Sequence, residues 1–217
     1  MKVTTDSCLF GAWCAAELQK LHCSKILDIG TGTGLLALMI AQKNAGQINA
    51  VELDENGARQ ASENIASSPW KDRIYIYHSD ILEHTGSYDC IISNPPFYEN
   101  ELQSPETRNN LAHHSSRLNL SVLIQYAGKS LTDHGHIFLL LPYKRLAEAE
   151  KLLAGQNIFI QKILVVKQST QHSPFRVMFM GSKYRRDLPV TEFLSIKEGI
   201  DYSAKFKYLL KDYYLYL

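Results

Sequence analysis

A doubly wound α/β domain is predicted for this chain: a seven-stranded, mostly parallel sheet with helices on both faces and its last strand antiparallel. Three observations predict it. Short apolar runs alternate with longer stretches of helical spacing from Ile26 to Leu153, the rhythm of strand–helix–strand units. A glycine cluster, Gly30-Thr31-Gly32-Thr33-Gly34, separates the first apolar run from a helix-like segment. Asp28, Glu52, Asp80 and Asn94 fall at the ends of the first four strands, where an open parallel sheet binds its ligands. The 217 residues suffice for one such unit and little more, so residues 1–217 are read as a single domain.

Composition excludes disordered and fibrous classes. Four cysteines, Cys8, Cys14, Cys23 and Cys90, show no C-x-x-C spacing and read as buried thiols in a reducing compartment. No apolar run is long enough to span a bilayer, and the N-terminus has no basic-then-apolar leader. The protein is therefore expected to be cytoplasmic, with no membrane partner and no obligate protein partner inferred. The net charge of +1 hides an asymmetry: residues 1–150 hold 12 Lys/Arg against 17 Asp/Glu, and residues 151–217 hold 11 against 5. The basic C-terminal third suits a phosphate-rich partner or, alternatively, lysine-blocked strand edges.

The elements follow in order. Thr4-Thr5-Asp6 offers a helix cap, and Leu9, Trp13, Ala16 and Leu18 give the segment Ser7–Leu21 helical spacing. Ile26–Ile29 is the first strand and Leu35–Gln42 a buried helix. Gln47–Glu52 is the second strand, Asp54–Ser68 a helix, Ile74–Tyr77 the third strand and Tyr88–Ser93 the fourth. Phe97–Arg117 is polar and aperiodic, a loop of about twenty residues, which in a compact domain signals function or mobility. It contains His113 and His114, whose adjacency makes a poor metal pair. Leu118–Leu131 is helical, Gly135–Pro142 the fifth strand and Tyr143–Leu153 helical. Phe159–Val166 and Arg176–Gly181 are antiparallel neighbours. Phe193–Ile196 is a short further strand, and Ala204–Tyr213 a final helix or an aromatic tail packed on the sheet.

The glycine turn has a ligand-binding form. Glycine is needed where φ is positive or where a ligand must approach the backbone, and the helix behind it adds oriented N–H groups. Glu52 lies 20 residues after Gly32, at a strand end where an acid accepts ribose hydroxyls. The dinucleotide fingerprint G-x-G-x-x-G would place its last glycine at Leu35, one residue beyond Gly34, which disfavours a nicotinamide dehydrogenase. Asp80 is open to two roles, acceptor for the exocyclic amine of a bound adenine or cap of the turn after Ser79.

Asn94-Pro95-Pro96-Phe97 forms a second candidate site. The two prolines fix φ and remove donors, and Pro95 holds Asn94 extended. The corner presents acceptors, the Asn94 side-chain oxygen and nearby carbonyls, beside an aromatic face. That suits a flat ring bearing an NH₂ group, held so that its nitrogen lone pair faces a methyl donor.

With these residues in place, the chain resembles the class I, Rossmann-like methyltransferases that modify amino groups. Asp28-x-Gly30-x-Gly32-x-Gly34 is their S-adenosylmethionine turn, and Asn-Pro-Pro-aromatic their amino-methylation motif. It is most similar to the bacterial tRNA(Val) adenine-N6 methyltransferase family. Lys2–Asp6, Gly11-Ala12-Trp13, Val51–Asp54 and Tyr208–Leu215 carry that resemblance alongside the two motifs. It implies methyl transfer to the N6 of the adenine just 3′ of the anticodon of tRNA(Val). Alternatives are a protein glutamine amide, an rRNA guanine amino group, or a non-catalytic S-adenosylmethionine-binding module. The resemblance assigns catalysis to Asn94, Pro95, Pro96 and Phe97. It assigns cofactor binding to Thr5, Asp28, Gly30, Thr31, Gly32, Gly34, Glu52, Leu53, Asp80, Ile81 and Asn94, with no metal, and S-adenosylhomocysteine as product. Lys183, Arg185, Arg186, Lys205, Lys207 and Lys211 are candidate phosphate contacts, interleaved with Tyr184, Tyr202, Phe206 and Tyr208. Family members carry an aromatic and basic segment ahead of the Lys-Val-x-Thr-Asp stretch, whereas Met1 directly precedes Lys2 here. Two readings follow, a true start upstream of this Met1 or the absence of a substrate-contacting strand, and weakened tRNA binding is expected.

Overall fold

The first helix, α1 (Thr5–Leu18), is capped by Thr4, whose hydroxyl accepts the Ser7 N–H. Residues 3–96, 119–185 and 188–217 are described in this computed structural model. The expected loop Phe97–Arg117, with His113 and His114, lies outside them.

Strands β1 (Lys25–Ile29), β2 (Gln47–Glu52), β3 (Ile74–His78) and β4 (Tyr88–Ser93) alternate with α2 (Leu35–Ala41) and α3 (Glu55–Ala66). Then follow α4 (Leu120–Ser130), β5 (Leu131–Pro142), α5 (Leu146–Ala154), β6 (Phe159–Ser169), β7 (Pro174–Ser182), β8 (Val190–Glu198), β9 (Asp201–Tyr202) and α6 (Ala204–Leu210). The sheet order is β3-β2-β1-β4-β5-β7-β6-β8-β9. Strands β1 to β5 pair in parallel, and β7 runs antiparallel to both neighbours.

Seven strands were expected and nine are found among the described residues, the first seven with the antiparallel strand as predicted. The eighth is longer than the expected Phe193–Ile196 and pairs in parallel with β6 from Lys162↔Val190 to Ser169↔Lys197. It lies near the sheet edge, with Phe193 exposed and Leu194 buried; solvent on one face permits the polar residues that hid it in the sequence. The two-residue β9 folds back across Gly199, whose φ is 66°. Strand β5 also begins earlier than Gly135, because Leu131 pairs with Tyr88 across a register shift.

Two cores flank the sheet. On one face α1, α2 and α6 pack over Ile26, Ile48, Ile92, Phe138, Leu140, Met178 and Leu194. On the other, α4 and α5 cover Leu27, Ile29, Ile91, Ile137, Leu139, Leu141 and Phe179. Strand β5 sends alternate residues into each core, as the pleat requires. Burial on both faces explains why its sequence reads as one unbroken apolar run. All four cysteines are buried and free.

The Phe138 ring meets Trp13 edge-on, with centroids 5.7 Å apart, and this contact joins α1 to the middle of the sheet. Phe138→Ala should lower the unfolding free energy by about 3–5 kcal/mol, measured by urea denaturation. A smaller loss would show that α1 is not held through this ring.

Candidate functional site

Chain connections run outward in opposite directions from β1 and β4, which opens a crevice beyond their carboxyl ends. Register places Ile29 opposite both Val51 and Ser93. Three strand ends therefore converge there, and the Ser93 hydroxyl donates to the Ile29 carbonyl at 2.9 Å.

The chain leaves β1 through Gly30, Gly32 and Gly34, with φ of 70°, 59° and 82°. Side-chain-bearing residues avoid that region, so the turn needs its glycines. A Cβ on Gly30 would meet nothing within 4 Å, and the backbone there is open to a ligand. Two N–H groups of the turn, from Gly30 and Thr31, donate to the Val51 carbonyl at 2.9 and 3.1 Å. A third, from Gly32, donates to Glu52 Oε2 at 2.7 Å. The other oxygen of Glu52 accepts the Asp54 N–H at 2.9 Å. Each carboxylate oxygen keeps acceptor capacity beyond these bonds.

Asp28 lies one strand inward and is fully buried. Its Oδ2 accepts the Thr31 hydroxyl at 2.6 Å, and its Oδ1 has no partner. Burial pushes its carboxyl up to about 7; the Thr31 bond opposes the rise and the nearby Glu52 charge adds to it.

Asn94 follows β4. Its amide nitrogen donates to Ser7 Oγ at 2.9 Å, and its Oδ1 is buried without a partner. Pro95 is buried and Pro96 exposed; Phe97 lies outside the described residues. Among those residues, four buried side-chain polar atoms lack a hydrogen bond: Trp13 Nε1, Asp28 Oδ1, Ser79 Oγ and Asn94 Oδ1. Three of the four sit at or near the carboxyl ends of β1, β3 and β4. Native interiors leave few such atoms unpaired, so their concentration in one crevice marks where polar groups of a ligand belong.

The remaining site residues are placed as follows. Asp80 Oδ1 accepts the Leu82 N–H at 3.0 Å, which is the turn cap anticipated as one of its two roles. Ile81 is buried in the second core, and Leu53 is half-buried beyond β2. Thr5 is exposed at the start of α1.

The chain matches the family model described as Methyltransferase small domain over residues 12–168. A relative from Parabacteroides distasonis is 35% identical over 220 residues, 99% of this chain and 91% of its own. Another, from Christiangramia forsetii, is 36% identical over 225 residues, 100% of this chain and 92% of its own. Both are named tRNA1(Val) (adenine(37)-N6)-methyltransferase. The chain belongs to that family. Solved structures agree on the fold. A protein described as an O-methyltransferase, from Agrobacterium tumefaciens, superposes with a TM-score of 0.70 at 15% identity, covering 94% of this chain and 95% of its own. A methyltransferase from Pyrococcus furiosus gives 0.57 at 20% identity, covering 80% and 82%.

Within this methyltransferase the expected phosphate contacts do not form one surface. Lys183 and Arg185 leave β7 at the amino edge of the sheet, opposite the crevice. Lys183 Nζ donates to the Leu131 carbonyl at 2.9 Å, and Arg185 lies over the Phe159 ring at 5.4 Å. Arg186 lies outside the described residues. On α6, Lys205 is held by Glu192 at 2.6 Å, and beyond it Lys211 sits over Tyr208 at 4.7 Å. The carboxyl edge instead carries Lys144, Lys167 and Lys197, which follow or end β5, β6 and β8. Antiparallel β7 is the cause, because it delivers residues close in sequence to opposite edges. Ser7 and Ser79 also escaped the sequence reading, since a lone serine carries no spacing signal. The aromatic tail packs as expected in part: the Tyr213 hydroxyl donates to the Met39 carbonyl at 3.2 Å, while Tyr208 and Tyr216 are exposed.

The raised Asp28 carboxyl has a sign that can be tested. A folded-state value of about 7 against 3.8 means that the folded protein holds a proton which the unfolded chain releases. That contribution is complete below pH 3.8 and is lost as pH climbs to about 7. Asp28→Asn should therefore gain stability relative to the parent across this interval, measured as the difference in urea midpoints at several pH values. Parallel midpoints would show that the carboxyl titrates normally.

Proposed function

We propose that this chain transfers a methyl group from S-adenosylmethionine to the exocyclic N6 of adenine 37 in tRNA1(Val), the adenine just 3′ of the anticodon. The observation that carries the reading is the trio of buried, unpartnered polar atoms, Asp28 Oδ1, Ser79 Oγ and Asn94 Oδ1. The names of the relatives support the substrate, and a tRNA substrate fits a cytoplasmic protein.

The residues present fit the cofactor. When bound, it supplies an electrophilic methyl group on a positively charged sulfur and leaves as S-adenosylhomocysteine. Asp28 Oδ1 is the natural partner for its ammonium group, since a buried carboxylate requires a cation or a proton. Thr31 fixes the Asp28 rotamer, and the open face over Gly30 admits the chain of the ligand. Glu52 retains lone pairs for the ribose hydroxyls. Leu53, Asp80 and Ile81 would hold its adenine, and Thr5 would line the mouth of the crevice. No metal is assigned a role.

Asn94 performs the acceptor side. Its Oδ1, with a main-chain carbonyl of the proline corner, accepts the two N–H bonds of the target amine. This turns the nitrogen lone pair out of conjugation and towards the methyl group. The methylated amine is positively charged and loses its proton readily, so positioning dominates the rate. Phe97 stacks on the target base in this scheme, after the base is splayed from the anticodon loop. Lys144 and Lys167, which take part in none of the ion pairs among the described residues, are placed to meet phosphates, and binding weakens with salt accordingly.

Mass analysis of nucleosides from tRNA incubated with the protein and S-adenosylmethionine should show a rise in N6-methyladenosine. Asn94→Ala should lower that yield by about 100-fold or more. Label transferred only to protein, or only to rRNA, would replace adenine by a glutamine amide or a guanine. No transfer to any fraction, with the cofactor still bound, would make the chain a binding module.

A further inference from the structure

The strands do not end level along the crevice. Register sets Ile29 of β1 beside Val51 of β2 and Ser93 of β4, so these three stop together. Strand β5 runs on. Leu139 lies opposite Ser93 and the strand ends at Pro142, three residues further, or about 10 Å. Pro142 pairs with Arg176 of β7, and Arg176 with Val166 of β6. The carboxyl edge is therefore stepped, and Asn94 leaves β4 beside a wall made by β5, β7 and β6.

The step is also a step in charge. The segments that follow β1, β2 and β3, residues 30–35, 53–58 and 79–84, carry Asp54, Glu55, Asp80 and Glu83 and no Lys or Arg. The rim of the wall carries Lys144, Arg145, Lys167 and Arg176. Arg145 is paired to Glu148 at 2.8 Å and Arg176 to Asp6 at 2.9 Å. Lys144 and Lys167 enter none of the ion pairs among the described residues, so their charge is not cancelled. Beyond β6 the surplus ends, because Lys197 is followed by Glu198, which lies opposite Asp201. A polyanion is repelled from the low side of the step and drawn to the high one. Tyr143, the first residue past β5, stands at the same rim and is 40% exposed. Aromatic faces beside lysines are the means by which proteins hold unpaired nucleic acid.

We propose that this rim docks the unpaired RNA strand next to the target adenine: Tyr143 stacks on a flanking base, and Lys144 and Lys167 meet the phosphates beyond. The inference rests on adenine methylation at Asn94 as proposed above and deepens it. RNA reaches Asn94 from the β5 side and leaves the acidic side to the cofactor. A paired base offers no free face to Tyr143, so the rim distinguishes a loop from a duplex.

Binding of a synthetic anticodon stem-loop of tRNA1(Val), followed by fluorescence anisotropy, reads the rim without turnover. Tyr143→Ala should weaken binding about 10-fold, and Tyr143→Trp should restore it. A fully paired duplex of the same strand should bind wild-type protein and Tyr143→Ala alike. Lys144→Ala and Lys167→Ala should each flatten the dependence of log affinity on log salt by about 0.7. 2-Aminopurine placed on either side of the target adenine reports stacking. At one of the two positions its fluorescence should be quenched by wild-type protein and stay bright with Tyr143→Ala. Unchanged affinity in Tyr143→Ala, an equal loss on the duplex, salt slopes unmoved in both lysine variants, or no quenching at either position would each overturn the rim, even if adenine is methylated. Wild-type protein that methylates no tRNA adenine, yet shows quenching that Tyr143→Ala abolishes, would defeat the substrate reading and leave the rim standing.

Discussion

The clamp of Glu52 on the Gly32 amide is the constraint on which the site depends. It joins the turn after β1 to the end of β2, across 20 residues of sequence, by a charge-assisted bond of 2.7 Å. Without it, a run of three glycines in five residues would sample many conformations. With it, and with the two amides that bind Val51, the turn is held by the sheet. The open face above Gly30 is thus rigid, although it is made of the most flexible residue type.

That rigidity has a cost placed nearby. Asp28, Ser79 and Asn94 each bury an oxygen without a hydrogen bond, and each such atom costs about 1–3 kcal/mol. The two apolar cores on either side of the sheet offset this. The molecule is over-determined in its interior and under-satisfied along one crevice. This is the pattern expected where a ligand, rather than the protein, completes the polar bonding.

The start of α1 links the two. The body of the helix is buried against the sheet through Phe10, Trp13 and Leu18, which fixes its first turn beside β4 and β7. Thr4 acts there as helix cap, and Ser7 in the same turn accepts from the Asn94 amide. The C-terminal aromatic residues close over the same region, with Tyr214 near Cys8 and Thr5 and Asp212 paired to Lys43 at 2.7 Å.

The sequence by itself determined the parallel sheet, the glycine turn, the acid at Glu52 and the proline corner. Each of these is encoded locally, by periodicity, by positive-φ glycines or by proline, so a short window reveals it. It underestimated β8, whose solvated face dilutes the apolar signal, and it grouped Lys183 and Arg185 with a site from which antiparallel β7 separates them. Tertiary structure alone decided that Ser7 meets Asn94, 87 residues away, and that Asp28 keeps an unpaired oxygen. Burial and hydrogen-bond polarity depend on which segments the fold brings together, and no spacing rule along the chain reports that.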